Sequence, residues 1–126
     1  MSGATVSRIV ARARTLIGDR EHWVKGPLAM TASGEECSAT NTKACKWCLV
    51  GALERAAAEQ AGELLVREAT KEVAVALKGV PATLSGPASW FFVAEWNDDP
   101  ARKHAEVLDA LDAAIARQQE QPEEDQ

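Results

Sequence analysis

The chain has 126 residues, 46% of them apolar and 26% charged, with a formal net charge of -5. A chain of this size can bury roughly 68% of its unfolded surface, so one domain with its own core is expected and no covalent staple is needed. Glu120, Glu123, Glu124 and Asp125 crowd the C-terminus and leave a nearly neutral body; nothing resembles the basic stripe of a nucleic-acid binder, and no DNA or RNA partner is expected.

Abundant alanine and few β-branched runs point to an all-α domain of about five helices over residues 1–117, followed by a disordered acidic tail at 118–126. Val6, Ile9, Val10, Ala13 and Ile17 recur at helical spacing, with Thr5 as a cap and Gly18 as a stop, and define helix 1. Periodicity then fails from Trp23 to Ala39. Gly26-Pro27 breaks any helix, Leu28 to Thr31 suits a short strand and Ala32 to Glu35 a turn, so an irregular or β-hairpin insertion is expected there.

Helix 2 is predicted over residues 43–60, capped from Thr40-Asn41-Thr42. It is apolar nearly all round, and Gly51 would admit another backbone. Gly62 precedes helix 3, whose stripe is Leu65, Val66, Ala69, Val73, Ala76 and Leu77, ending by Gly79 and Pro81. Ser85-Gly86-Pro87 opens a short helix 4 that carries Trp90, Phe91, Phe92 and Trp96. Asp98 or Asp99 should cap helix 5, with Pro100 in its first turn and His104, Val107, Leu108, Leu111 and Ile115 on its apolar face. Cys48, Gly51, Ala52, Val107, Leu108 and Leu111 are expected to be buried where helices 2 and 5 meet.

Three cysteines, two of them three residues apart, do not make a disulfide framework, and a reducing, cytoplasmic compartment follows. No stretch approaches the ~20 apolar residues of a membrane span. Cys45-Lys46-Trp47-Cys48 has redox spacing, with Cys45 placed at a helix start, but such sites follow the strand of a βαβ unit, which the sequence does not offer. Cys37, Cys45, Cys48 and His104 provide the ligand count for zinc without its usual spacing, and neither a metal nor a cofactor is expected. Cys48 as thiolate, His104 as general base and Asp98 or Asn97 as orienter complete the inventory of a thiol hydrolase or transferase. Each also has a structural explanation: a buried thiol, a core histidine and a helix cap. His22 has no evident partner.

Trp23-Val24-Lys25-Gly26, Trp47-Cys48-Leu49-Val50-Gly51-Ala52-Leu53, Trp96-Asn97-Asp98 and His104-Ala105-Glu106-Val107-Leu108 together resemble a family of small uncharacterised bacterial and phage proteins. Its signature is similar to Trp-Cys-x-x-Gly-Ala-Leu with a later aromatic-Asn-Asp. Cys48 matches that signature whereas Cys37 and Cys45 do not, and Trp96 stands where Phe is common. The resemblance implies a fold and candidate positions but no activity. The reading at this level is a non-enzymatic protein-interaction or regulatory module with an unknown protein partner and an origin in a phage or mobile element. The alternative is the Cys48, His104 and Asp98 enzyme.

Overall fold

Val6, Ile9, Val10, Ala13 and Ile17 are all buried in the computed structural model, which describes residues 2–60, 62–77 and 86–120. Their spacing places them on one face of α1 (Ser2–Leu16) and the residue just past its end, while Arg8 and Arg12 stay exposed. Thr5 lies inside this helix and does not cap it; its hydroxyl accepts a hydrogen bond from Arg8.

The segment that follows is a three-stranded antiparallel sheet, larger than the expected hairpin. Its strands are β1 (Ala29–Thr31), β2 (Glu36–Cys37) and β3 (Ala44–Trp47), in the order β2-β1-β3. The predicted turn joins β1 to β2: Gly34 adopts φ +90°, open to glycine at little cost, and the Thr31 hydroxyl accepts from the Glu35 amide. Ala29 pairs with Trp47 and Met30 with Lys46, and a register shift follows before Thr31 pairs with Ala44.

β3 corrects the predicted start of helix 2. Residues 44–47 are extended, and α2 runs only from Leu49 to Glu59, with Cys48 as its N-cap. A stretch this short reads as strand or helix with equal ease, and here pairing with β1 decides. The expected caps serve elsewhere: the Asn41 side chain accepts from the Lys43 amide in the turn before β3. Because the chain passes from strand to helix without a loop, the sheet fixes where α2 begins. The Cys48 amide donates to the Leu28 carbonyl at 3.2 Å. Gly51 faces the same carbonyl group, and a Cβ there would lie 2.9 Å from the Leu28 carbonyl carbon, so the expected close backbone approach is present.

α2 is the central helix, burying Leu49, Val50, Ala52, Leu53, Ala56 and Ala57. Around it pack α1, α3 (Val66–Ala76, after a 3-10 turn at Glu63–Leu65) and α4 (Gly86–Asp98), while α5 (His104–Glu120) lies on α1 and α3. That arrangement corrects the expectation that helices 2 and 5 share a face. Val107 and Leu111 are buried as expected, but against α1 and α3, and Leu108 is only half-buried. Ion pairs tie the bundle's outside: Arg12 to Glu59 at 2.7 Å and Arg14 to Asp112 at 2.8 Å. Exposed pairs of this kind contribute about 0–1 kcal/mol each.

Helix 4 is longer than predicted, and its aromatics are not its buried stripe. The fully buried positions are Ser89, Val93 and Asn97, four residues apart, while Phe91 is exposed. α4 therefore continues through Asp98, which cannot cap the next helix. Asp99 instead accepts from the Ala101 amide in the connecting turn. Glu106 reaches back to the Lys103 amide at the start of α5, and that bond holds its carboxyl below the usual range. Gln118 to Glu120, predicted as tail, belong to α5. Gly79, Pro81 and residues 121–126 lie outside the described residues.

Candidate functional site

Asn97 has its side chain wholly buried at the end of α4, where a polar amide is tolerated only if all its hydrogen bonds are made. They are. Its Oδ1 accepts from Trp23 Nε1 at 2.7 Å and from the Leu49 amide, in the first turn of α2, at 3.3 Å. Its Nδ2 donates to the Val24 carbonyl at 3.3 Å and to Asp98 Oδ1 at 3.0 Å. One side chain thus clasps the end of α4, the loop after α1 and the start of α2. Neighbours extend the clasp: Asp98 Oδ1 also accepts from the Gly26 amide, and Lys25 Nζ donates to the carbonyls of Asp99 and Pro100. Gly26 itself has φ +101°, a conformation that suits glycine. Arg102 lies 3.8 Å over the Trp96 ring and donates to the Trp96 carbonyl.

The residues singled out for thiol chemistry stand in and around this clasp. Cys48 is buried, and its Sγ accepts from the Gly51 amide at 3.3 Å as the cap of α2. Burial pushes its thiol up to about 11, and the nearby charges of Asp98 and Glu54 act in the same direction. Only about one molecule in ten thousand would carry the thiolate at neutral pH. The His104 ring donates through Nε2 to the Ile17 carbonyl at 2.7 Å and lies 5.6 Å from the Trp23 ring. That nitrogen is thereby committed to holding α5 against the end of α1, not to accepting a proton from a thiol. Asp98 is engaged with Gly26 and Asn97, so each of the three groups has a hydrogen-bond partner outside the proposed trio.

Cys37 and Cys45 sit half-buried on β2 and β3, the strands flanking β1, and both are free thiols. Cys45 lies in a strand and not at the helix start expected for it. Among the described residues no three His, Cys, Asp or Glu side chains are placed to hold a metal ion. No described helix is long and apolar enough to cross a membrane. His22 is exposed but not unpartnered, since its Nδ1 donates to the Cys45 carbonyl at 2.8 Å.

Two grooves border these elements, and neither is among the surfaces expected above. The first, of about 650 Å³, lies between α2, α3 and α4 and is lined by Glu54, Leu64, Val66, Arg67, Pro87, Trp90 and Phe91. Leu64 is 94% exposed and Phe91 64%, a concentration of apolar surface that the rest of the described molecule lacks. Trp90 Nε1 donates to Glu54 at 3.1 Å and anchors the groove's floor to α2. The second, of about 890 Å³, lies beside the clasp, where the 3-10 turn at Arg20–His22 faces the start of α5. Its cationic lining is Arg20, Lys25, Arg102 and Lys103, with His104 among them and no carboxylate. The four cations come from two segments about eighty residues apart, so no local pattern announces them. A signal for the first groove did exist: Phe91 falls off the Ser89, Val93 and Asn97 stripe.

No curated protein and no solved structure matches the chain. Residues 1–117 match the model of a family described as DUF6197, a family of unknown function. That span runs from α1 to within the last turns of α5 and contains the clasp and both grooves; the chain belongs to this family.

Proposed function

We propose that this chain is a cytoplasmic, non-enzymatic interaction module of bacterial or phage origin that binds another protein through the groove between α2, α3 and α4. One observation carries the reading: Leu64, at 94% exposure, and Phe91, at 64%, line the same groove. Exposed large apolar residues gathered in one place mark contact surfaces. Covering each would contribute about 1.5–3 kcal/mol. The partner is a segment with a large apolar side chain beside a carboxylate, because Arg67 lies exposed in the lining and enters none of the ion pairs among the described residues.

The thiol hydrolase or transferase built on Cys48, His104 and Asp98 is the weaker reading. A nucleophile needs an accessible, ionisable sulfur. Cys48 is buried with its thiol pushed up to about 11, and its Sγ is engaged as the cap of α2.

Selection of a displayed peptide library on the full chain tests the binding reading. Enriched peptides should pair a large apolar residue with an acid, and Phe91→Ser with Leu64→Ser should weaken them at least about tenfold, or ~1.4 kcal/mol. Unchanged binding in that double variant would overturn the assignment of the groove. A concentration-dependent dimer in light scattering that the double variant abolishes would replace the foreign partner with a second copy of the chain.

A further inference from the structure

We propose that the groove beside the clasp binds a small phosphate monoester, its phosphate held by Arg20, Lys25 and Lys103 and its apolar remainder lying along Pro100 and the half-buried Trp23. Arg102 is paired with Glu106 at 3.2 Å, but Arg20 and Lys103 enter no ion pair among the described residues, and Lys25 Nζ donates only to the neutral carbonyls of Asp99 and Pro100. Three cations thus line one concavity with no carboxylate in its lining.

Of the acids nearest in sequence, Asp19 accepts from the Glu21 amide, Asp99 from Ala101, Asp98 from Gly26, and Glu106 from Arg102 and the Lys103 amide, while the exposed Glu21 beside Arg20 lies outside the groove's lining. In a body whose overall charge is close to zero, such a concentration of one sign is a local feature and not a consequence of composition. The start of α5, a 17-residue helix, supplies His104 and Ala105 to the same lining and adds the positive end of its dipole to the field of the side chains.

The charge selects the ligand class. A phosphate monoester carries about -1.5 to -2 at neutral pH and offers three acceptor oxygens, which matches three separate donors better than a single carboxylate does. A volume of about 890 Å³ exceeds what the phosphate alone fills and lies in the range of small-molecule sites. Trp23 and Pro100 give that remainder an apolar wall, and Trp23 is itself fixed by its bond to Asn97, so the wall is preformed. This site is separate from the Leu64 and Phe91 groove, and its fate does not depend on that of the protein-binding reading.

The experiment is calorimetric titration of the full chain with phenyl phosphate and with inorganic phosphate, repeated on Arg20→Glu with Lys103→Glu. Both side chains project from exposed positions, so the melting temperature should be unchanged; if it moves, Arg20→Gln with Lys103→Gln serves in their place. Saturable one-to-one binding is expected, with phenyl phosphate at least about tenfold tighter than inorganic phosphate and the charge-reversed variant weakened at least about tenfold. No saturable binding of either probe, or the same affinity in the folded variant, would overturn the site. Equal affinity for the two probes would overturn the role given to Trp23 and Pro100.

Discussion

The Asn97 clasp and the Leu64–Phe91 groove both draw on α2 and α4, and they obey opposite rules. In the clasp polar groups are buried and every hydrogen bond of the central amide is made; in the groove apolar groups are exposed and nothing among the described residues covers them. The clasp holds the residues that attract notice in the sequence, a cysteine, a histidine and an Asn-Asp pair. Their chemistry is spent on joining chain segments. The groove is marked by Leu64 and Phe91, side chains with no reactive group, and what distinguishes them is that they remain in solvent. Reactive residue types are thus a poor guide to function when their donors and acceptors are already matched, whereas misplaced apolar surface is a good one.

The sharpest way to break this comparison is to remove the amide. Asn97→Ala leaves the Trp23 indole N–H, the Leu49 amide and the Val24 carbonyl without their partner, and each buried orphan costs about 1–3 kcal/mol. A loss of about 3–6 kcal/mol in urea unfolding is expected; a loss below about 1 kcal/mol would show that the clasp is ornamental. Gly51→Ala comes next. The added methyl meets the Leu28 carbonyl, which belongs to the backbone and cannot swing aside, so about 1–3 kcal/mol should be lost and the sheet's hold on α2 loosened.

How much of this was legible depended on whether the deciding contact was local. Helix 1 could be read because Val6 to Ile17 repeat at 3.6 residues against arginines. The start of helix 2 could not. Ala44 to Trp47 is short and mostly apolar apart from Lys46, and only its pairing with Ala29 and Met30 makes it a strand. Asp98 and Asp99 before Pro100 are a sound local cap signal, yet α4 extends through Asp98 and the Gly26 amide, seventy-two positions away, takes its carboxylate. The identities of Cys48, Asn97, Asp98 and His104 as notable positions were visible. Their roles were not, because each is set by a partner from a distant segment.

The Cys48 thiol sharpens the comparison through pH. Its pKa is raised from an ordinary value of 9.0 to about 11 in the folded state, so the folded protein holds the proton more tightly than the unfolded chain. Its contribution is fully present below the unfolded value and is lost as pH rises through the folded one. About 2 kcal/mol of stability should disappear between pH 9 and pH 11, and Cys48→Ala, less stable at neutral pH, should lack that part of the slope. Equal slopes for the two proteins would contradict the buried placement of the sulfur. At the other end of the scale, Leu64→Ser should change stability by no more than about 0.5 kcal/mol, since that side chain is already in water, and Phe91→Ser by no more than about 1 kcal/mol, since its ring is mostly exposed and touches Trp90 edge-on. A destabilisation above about 1.5 kcal/mol would mean that the groove is part of the core.

The central claim is that the Cys48 neighbourhood is structural, and alkylation measures it most directly. In a chain with Cys37→Ser and Cys45→Ser, the only remaining thiol is Cys48, and iodoacetamide consumption at neutral pH can be followed by mass with and without His104→Ala. The account predicts slow labelling that accelerates only as denaturant unfolds the chain, with His104→Ala leaving the rate unchanged or raising it by loosening the end of α1. Rapid labelling of the folded protein that collapses on His104→Ala would contradict it and make the clasp a thiol active site.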